Sequence, residues 1–417
     1  MKIDIPYGDG EVTIDIEKER LNKILAPNEV EVKDEKENIK NALSDPIEMQ
    51  RYSDISDFIK DGTLIIVNDA TRATPTSKVL EVMREEIEKH DVRFIVARGS
   101  HDDPNEEEYR EIFGNFYETH REQIYSHDAE EDPMVKNGET ERETPVKFNS
   151  LLSEAKNVLN INSVEPHYFA GYTGGRKSFL PGIASYETIE NNHSHALEEG
   201  ADALSLEGNP IHEDMIEAVE MIDKEIFSLN LTLDKDNRVY HASAGDWKRS
   251  FYREAEKAKE VFAVGLEKKS DVVVSAAHPM DVNLYQSAKA IENGKLALKE
   301  NGTLILAAKC PQGIGPKNFY ELLSSIDSPE KTVEKVKEGY RLGYHKAGRI
   351  ADLISCWDGI EKTQLWAVTD LDEETLNSVF ITPKQKLQSA VEDALEKTGG
   401  DFTVLLNGCM VVPELED

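Results

Sequence analysis

The residues most able to do chemistry lie in one irregular segment, PHYFAGYTGGRKSFLPGIASYETIENNHSH, which spans residues 166–195. In it, Gly174 and Gly175 are followed directly by Arg176 and Lys177. Backbone N–H groups of a glycine-rich loop can approach an anion closely, and two cations can neutralise that anion. The pattern suits a phosphate site, and a structural turn explains the glycines equally well. It is not a Walker A motif, which needs a glycine where Arg176 stands.

Four of the eleven histidines are candidates for acid/base work or metal binding, namely His101, His167, His193 and His195. Two imidazoles at neighbouring strand ends can exchange donor and acceptor roles near neutral pH. A lone histidine is more often structural, so the prediction depends on the pairing of His101 with His167. HxxxH spacing is absent from the predicted helices, and a zincin site is therefore not indicated.

Two smaller polar clusters add candidate ligand contacts. Asp69, Thr71 and Arg72 follow a predicted strand, and an arginine at such a place can hold a carboxylate or phosphate with two parallel hydrogen bonds. A surface ion pair is the alternative. Gln286 and Lys289 are three positions apart and share one face of a predicted helix. Taken alone, these two would be ordinary solvated helix residues.

The elements that must position these residues are predicted from short apolar runs. TLIIVN, DVRFIV and NVLNINS are separated by helical patterns such as SKVLEVMREEIEKH, which predicts parallel strands joined by helices. Asp69, Arg72, His101 and His167 then lie just past the carboxyl ends of strands, where open α/β sheets bind ligands. One crevice could hold all four. The acidic residues 127–145 are predicted to form an exposed excursion or hairpin.

The chain of 417 residues is long enough for two domains. We predict the α/β class, with Rossmann-like, mostly parallel sheets flanked by helices and an active site in the cleft between the domains. A second α/β pattern begins near residue 271, so the predicted domains are residues 1–268 and 269–399. The pattern alone does not decide whether the last strand, in residues 400–417, returns to the first domain.

Composition excludes several kinds of partner. With 81 acidic and 48 basic residues, the formal net charge is −33, which repels nucleic acid and anionic membranes. A small anionic substrate stays possible where a few cations line a cleft. No segment approaches the roughly 18 apolar residues of a membrane span, and the N-terminus lacks a signal-peptide pattern. We therefore predict a cytoplasmic protein, whose three cysteines are expected to be buried thiols.

Together these motifs resemble the LarA-type lactate racemase family, the nickel-pincer nucleotide enzymes. The resemblance covers most of the chain. Within it, His167 and Lys177 are ten positions apart, and Lys177 and His193 are sixteen apart. It depends on DATR at 69–72, GSH at 99–101, the long segment at 166–194, GNP at 208–210 and DVNLYQSAKA at 281–290.

The resemblance implies a cofactor and roles for the candidate residues. Lys177 matches the lysine that carries the cofactor, a pyridinium mononucleotide with two sulfur-bearing arms, through a thioamide bond. His193 matches the one protein ligand of the nickel held by that nucleotide. His101 and His167 match the two acid/base histidines. The remaining matches are Asp69, Thr71, Arg72, Gly174, Gly175 and Arg176 near the cofactor, and Arg72, Gln286 and Lys289 near the substrate.

The implied reaction is racemisation or epimerisation at C2 of a 2-hydroxy acid, by reversible hydride transfer to the cofactor. One histidine takes the hydroxyl proton, a 2-keto acid forms, and the other histidine supplies a proton after the hydride returns to the opposite face. Enzymes that synthesise the cofactor are the implied partners for loading. A zinc-dependent hydrolase and a non-catalytic nucleotide-cofactor binding protein are the alternatives.

Departures from the family pattern bear on the substrate. Asp102 and Asp103 follow the first catalytic histidine where the family usually has arginine, and Ala73 replaces a common proline. The segment around residues 340–350 shows no match to the aromatic residue that lines the pocket of lactate-active members. We accordingly expect a lactate-like or larger substrate, for example malate. The basic residues of that segment are expected either to contact it or to be exposed, namely His345, Lys346 and Arg349.

Overall fold

The structure is a computed structural model that describes residues 1–49, 51–52, 54–357, 360–361 and 363–416. In chain order the strands are β1 (Lys2–Tyr7), β2 (Gly10–Asp15), β3 (Leu21–Leu25), β4 (Thr63–Asn68), β5 (Arg93–Ala97), β6 (Ile124–Ser126), β7 (Met134–Glu139), β8 (Pro145–Asn149), β9 (Asn157–Ser163), β10 (Pro166–His167), β11 (Gly171–Tyr172), β12 (Ile226–Leu233), β13 (Val239–Asp246), β14 (Ala263–Leu266), β15 (Ser270–Ala276), β16 (Leu298–Ala307), β17 (Cys356–Trp357), β18 (Ile360–Glu361), β19 (Gln364–Val368), β20 (Thr382–Pro383), β21 (Phe402–Leu405) and β22 (Val412–Leu415). The α-helices are α1 (Glu35–Ser44), α2 (Thr76–Val82), α3 (Arg84–Ile87), α4 (Glu106–Phe113), α5 (Phe116–His120), α6 (Ser150–Glu154), α7 (Tyr186–Ser194), α8 (Pro210–Glu220), α9 (Trp247–Phe262), α10 (Leu284–Gly294), α11 (Lys317–Ser324), α12 (Pro329–Glu338), α13 (Tyr344–Ile354), α14 (Glu373–Ser378) and α15 (Leu387–Thr398).

The chain forms two compact units. Residues 29–261 form the central unit, and residues 1–28 with 262–417 form the terminal unit. The predicted boundary near residue 268 is close to the observed one, but the first 28 residues do not group with the predicted N-terminal domain. The reason is that β3 pairs in parallel with β21, which itself pairs with β15. The last strands of the chain therefore stay with the C-terminal residues.

The central unit is built on a six-stranded sheet in the order β13-β12-β9-β4-β5-β6. All neighbouring pairs are parallel except β12 and β13. Strands β4 and β9 are buried along almost their whole length. Parallel strands covered on both faces favour such continuous Ile, Val and Leu runs. The predicted parallel arrangement is confirmed.

The carboxyl ends of three neighbouring strands carry the predicted site. β4, β5 and β9 lie side by side and end at Asn68, Ala97 and Ser163. Because parallel strands end at one edge of the sheet, the loops that follow them start close together. The helix predicted after β4 is present as α2 and α3, interrupted at Met83. The segment 127–145 contributes to an antiparallel hairpin of β7 and β8, as predicted.

The terminal unit contains an all-parallel sheet in the order β20-β19-β16-β15-β21-β3. The predicted second α/β pattern is confirmed, because α10 connects the adjacent parallel strands β15 and β16. Helix α15 buries Leu387 and Val391 in the same apolar cluster as Val272 and Val274 of β15. Each such side chain contributes about 1.5–3 kcal/mol when fully buried. Helix α10, which carries Gln286 and Lys289, packs on β15 and β16 of this sheet.

Two further sequence predictions have different outcomes. Cys310 and Cys409 are buried, but Cys356 is exposed, so the expectation of three buried thiols is wrong for that residue. Over the described ranges of the chain, none of the helices is long and apolar enough to cross a membrane.

Candidate active site

The loop that carries Lys177 is packed against the central sheet. Gly174 and Gly175 have φ of 74° and 53°, a region that favours glycine, and a short 3₁₀ turn follows over Gly175–Ser178. A Cβ on Gly174 would lie 2.4 Å from Oδ1 of Asn162, and one on Gly175 would lie 2.6 Å from the ring of Phe251. These glycines are therefore required by close packing within the protein. Their predicted contact with an anion stays a prediction.

Arg176 is used to hold the loop together. Its guanidinium is completely buried and donates to the backbone oxygens of Ala170 at 2.5 Å and Gly174 at 3.3 Å. It also lies 4.3 Å from the ring centroid of Phe251. Burial lowers the pKa of Arg176 to about 9. The side chain thus supports the conformation of the loop, and its predicted contact with a cofactor is untested.

The ring of Phe169 brings three predicted site residues together. Its centroid lies 4.5 Å from that of His167, 5.2 Å from that of His193 and 5.4 Å from Nζ of Lys177. Phe169 itself is buried. Sequence reasoning did not single it out, although the aromatic run HYFAGY between two candidate residues was a usable signal. The three side chains share one apolar partner.

His193 lies near the end of α7 in a buried position. Burial, reinforced by the positive charge of Lys177 and by His101, lowers the pKa of His193 to about 3. The imidazole is therefore neutral at physiological pH, which is the form that binds metals. His195 directly follows the end of α7, and its Nδ1 pairs with the carboxylate of Glu198 at 2.5 Å, so it has a structural partner.

Asp69 and His101 form a carboxylate–imidazole pair across the strand-end loops. Oδ2 of Asp69 lies 2.7 Å from Nδ1 of His101, and Thr71 donates to the other carboxylate oxygen at 2.6 Å. Burial alone would raise the pKa of Asp69, but the hydrogen bond and charge of His101, with Arg72 and Thr71, lower it overall. The carboxylate is thus ionised and accepts the Nδ1 proton, which leaves Nε2 of a neutral His101 as a proton acceptor.

The loop around His101 is tied down at its base. Arg98 donates to the backbone oxygen of His101 and, at 2.7 Å, to the carboxylate of Asp128. The backbone N–H of Gly99 donates to the oxygen of Gly182, at 2.9 Å. Nε of Arg98 also lies 4.0 Å from Asp103, one of the two acids that depart from the family pattern. Arg98, which precedes His101 in the chain, thus offsets part of the negative charge of these two acids.

His167 has a different environment. Its ring stacks on Tyr168 with centroids 4.9 Å apart and meets Phe169 edge-on. Nδ1 accepts a long hydrogen bond of 3.4 Å from the backbone N–H of Ala170. The residue is buried, whereas His101 exposes 43% of its side chain. The structure therefore places the two predicted acid/base histidines after β5 and β9, the strands on either side of β4, in unlike surroundings.

Gln286 and Lys289 lie in the first half of α10 in the terminal unit. Asn283 caps this helix, its Oδ1 accepting the backbone N–H of Gln286 at 2.9 Å. Nζ of Lys289 lies 3.4 Å from Sδ of Met280. The cap fixes the start of the helix and so the direction in which these side chains leave it.

The basic residues of α13 are not exposed, which corrects one of the two expectations for them. His345, Lys346 and Arg349 are all buried. Lys346 donates to the backbone oxygen of Tyr285 at 2.6 Å and lies 3.6 Å from its ring centroid. Arg349 pairs with the buried carboxylate of Glu292 at 2.7 Å. Contact of these residues with a substrate stays a prediction.

Comparisons with known proteins find lactate racemases over almost the whole chain. A family model described as the lactate racemase N-terminal domain matches residues 7–204, and one described as the lactate racemase C-terminal domain matches residues 266–412. The lactate racemase of Thermoanaerobacterium thermosaccharolyticum is 30% identical, over 98% of both chains. That of Lactiplantibacillus plantarum is 29% identical, over 98% of this chain and 99% of its own.

Solved structures give the same result for the fold. The lactate racemase apoprotein from T. thermosaccharolyticum superposes with a TM-score of 0.90 at 29% identity, over 99% of this chain and 100% of that one. A crystal structure of a Thermotoga maritima protein gives a TM-score of 0.72 at 17% identity, over 91% of this chain and 98% of that one. At that identity the likeness concerns the fold alone.

Proposed function

The chain belongs to the lactate racemase family and is an isomerase, and we propose that it inverts C2 of a 2-hydroxy acid with a nickel-pincer nucleotide attached to Lys177. The observation that carries the proposal is the cluster around Phe169, where Lys177, His193 and His167 share one buried ring. A tethering amine, a metal ligand and a proton carrier are the three parts that such an enzyme needs.

The residues of this cluster fit the proposed cofactor. His193 is buried and neutral, as a nickel ligand must be. Lys177 contacts the same aromatic ring, so a group bound to its amine begins next to His193. Within the described residues, no group of three or more His, Cys, Asp or Glu side chains converges on a metal position. A cofactor that brings its own metal donors needs only one from the protein.

The histidines move protons at the substrate hydroxyl in this proposal. Nε2 of His101 accepts the hydroxyl proton, and the carboxylate of Asp69 stabilises the imidazolium that results. His167 performs the same step for the other enantiomer, whose hydroxyl has the opposite orientation. When bound, the nucleotide supplies a site that accepts a hydride from C2 and returns it. Two proton carriers are needed because each enantiomer presents its hydroxyl to a different side.

The remaining predicted residues bind the substrate in this proposal. We assign the substrate carboxylate and keto oxygen to Arg72, Gln286 and Lys289, whose cations and amide can stabilise developing negative charge. Aromatic side chains around His167 exclude water, which protects the hydride. The acid itself is proposed to be lactate or a larger 2-hydroxy acid such as malate. Loading of Lys177 requires the cofactor-synthesis enzymes as partners.

The test combines mass, metal and activity on one preparation. Protein produced together with the cofactor-synthesis enzymes is expected to carry a mass adduct on Lys177 and stoichiometric nickel, and to racemise at least one acid from a panel of single-enantiomer 2-hydroxy acids. A Lys177→Ala variant is the control and should lack all three. Adduct and nickel without turnover would favour the binding protein, and stoichiometric zinc on an unmodified lysine would favour the hydrolase. Either result would refute the proposal.

A further inference from the structure

A buried carboxylate lies behind the helix that carries His193. Asp214 of α8 is 1% exposed, and its two oxygens accept three side-chain hydrogen bonds. The donors are Thr140 Oγ1 at 2.5 Å, Thr144 Oγ1 at 3.0 Å and Asn192 Nδ2 at 2.7 Å. A buried carboxylate is costly unless its hydrogen bonds are made, and each bond to it contributes about 1.5–3 kcal/mol. These donors are therefore held firmly.

The three donors come from two different segments. Thr140 and Thr144 flank the turn between β7 and β8, where the N–H of Thr144 also donates to Oγ1 of Thr140 at 3.1 Å. Asn192 belongs to α7, is completely buried, and donates in addition to the backbone oxygen of Ile211 at 3.3 Å. Asp214 thus ties the end of α7 to α8 and to the hairpin.

The other end of α7 is fixed independently. Ser185 caps the helix by accepting the backbone N–H of Thr188, and Oγ1 of Thr188 donates to the oxygen of Pro145 at 2.6 Å. With both ends anchored, the helix cannot rotate about its axis. Successive residues of a helix project about 100° apart, so the anchored Asn192 sets the direction of its neighbour His193. That direction is toward the ring of Phe169.

We propose that Asp214 is a positioning residue for the nickel ligand, holding His193 in place through Asn192. The inference depends on the proposed function, because it takes His193 as the metal ligand. Residues that orient a metal ligand without touching the metal commonly change metal affinity by about 10- to 100-fold when they are replaced. The hydrogen bonds of Asp214 go to α7 and to the hairpin, so we expect its replacement to affect the metal ligand more than the amine that tethers the cofactor.

The experiment separates metal retention from cofactor attachment. Asp214→Asn and Asn192→Ala proteins, produced with the cofactor-synthesis enzymes, are expected to carry the same Lys177 adduct as the wild type. Nickel transfer to an added chelator should be about tenfold faster or more in both. The absorption bands of the bound metal should shift as well. His193→Ala provides the reference for complete loss of the protein ligand.

Thr144→Val is the matched control, because it removes a bond to the same carboxylate on the hairpin side only. It should lose a similar amount of thermal stability and retain nickel like the wild type. If Thr144→Val released nickel as fast as Asn192→Ala, the cause would be a general loosening of the protein, and the inference would be overturned. Nickel retention like the wild type in Asn192→Ala would overturn it as well. If Asp214→Asn fails to fold, Asn192→Ala still decides. A wild type without adduct refutes the proposed function itself, and this inference with it.

Discussion

The two histidine-bearing segments of the central unit differ in almost every contact. His101 lies on an exposed loop, with Nδ1 held at 2.7 Å by the ionised carboxylate of Asp69. His167 is buried between two aromatic rings, and its Nδ1 accepts the backbone N–H of Ala170. The sequence alone suggests that His101 and His167 are an equivalent acid/base pair. The structure shows that the two histidines occupy different electrostatic environments.

This difference has a direct consequence for protons. A neutral His101 that donates from Nδ1 to Asp69 presents Nε2 as an acceptor, whereas a neutral His167 that accepts at Nδ1 carries its proton on Nε2. The hydrogen-bond partners of the two rings therefore favour different tautomers when both rings are neutral. The carboxylate of Asp69 can stabilise the imidazolium form of His101. We expect the two histidines to respond differently to the same changes.

Removing either imidazole is expected to have the largest effect. His101→Ala and His167→Ala should each lower kcat by about 10²- to 10⁴-fold, the usual contribution of general acid–base catalysis. The Lys177 adduct should be intact in both, as measured by intact mass. Loss of the adduct in either variant would instead assign that histidine to cofactor capture and end the comparison.

Replacing Asp69, the carboxylate partner of His101, should affect His101 and leave His167 unchanged. Asp69→Asn is expected to lower kcat roughly tenfold to a hundredfold, since a hydrogen bond to a charged group contributes about 1.5–3 kcal/mol. The matched control is Asp61→Asn, which removes the partner of His90 in a surface pair at 3.4 Å. Similar kinetics for the two variants would contradict a special role for Asp69.

Replacing Phe169, an aromatic neighbour of His167, tests the environment of the buried histidine. Phe169→Leu removes a ring that contacts His167, Lys177 and His193. Because an aromatic contact contributes about 0.5–1.5 kcal/mol, we expect kcat to fall about three- to tenfold. Phe148→Leu is the control, since it removes an equally buried ring that packs on Phe179. Both variants should lose similar thermal stability, and only the first should lose turnover.

The smallest expected effect is on acid stability. The pKa of Asp69 is lowered by folding, so its stabilisation is present above the unfolded value of about 3.9 and is lost as pH falls through the folded pKa. The free energy of unfolding of the wild type should exceed that of Asp69→Asn by about 1 kcal/mol or less above that pH, given the exposure of His101. Urea unfolding between pH 3 and 6 measures this difference. A difference that grows on acidification would have the wrong sign.

Much of the fold follows from local sequence. Apolar runs such as TLIIV predicted the strands, and their parallel order put Asp69, His101 and His167 at one edge of the sheet. The pairing of β3 with β21 was not predictable in this way, because it joins segments about 380 residues apart whose patterns do not specify each other. The residues of the first hairpin were assigned to the wrong domain for the same reason.

The candidate site was less predictable than the strands. An Arg-Lys pair after glycines does not predict that Arg176 is buried and donates to backbone oxygens of its own loop. The reason is that this burial depends on packing against Phe251 of α9, which is distant in sequence. The basic residues of HKAGR suggested an exposed segment. In the structure, the carboxylate of Glu292 on α10 instead neutralises the charge of Arg349 in the interior. Phe169 and Asp214 act through contacts that no spacing rule describes.

The most direct test of the account follows the hydrogen at C2. The 2-hydroxy acid that turns over in the panel is prepared with deuterium at C2 and is racemised by the loaded protein in ordinary water. If the histidines handle only the hydroxyl proton and hydride returns to the same carbon, both enantiomers keep the deuterium. Exchange of that deuterium for solvent hydrogen, in step with racemisation, would mean that an imidazole removes the C2 proton itself and would contradict the account.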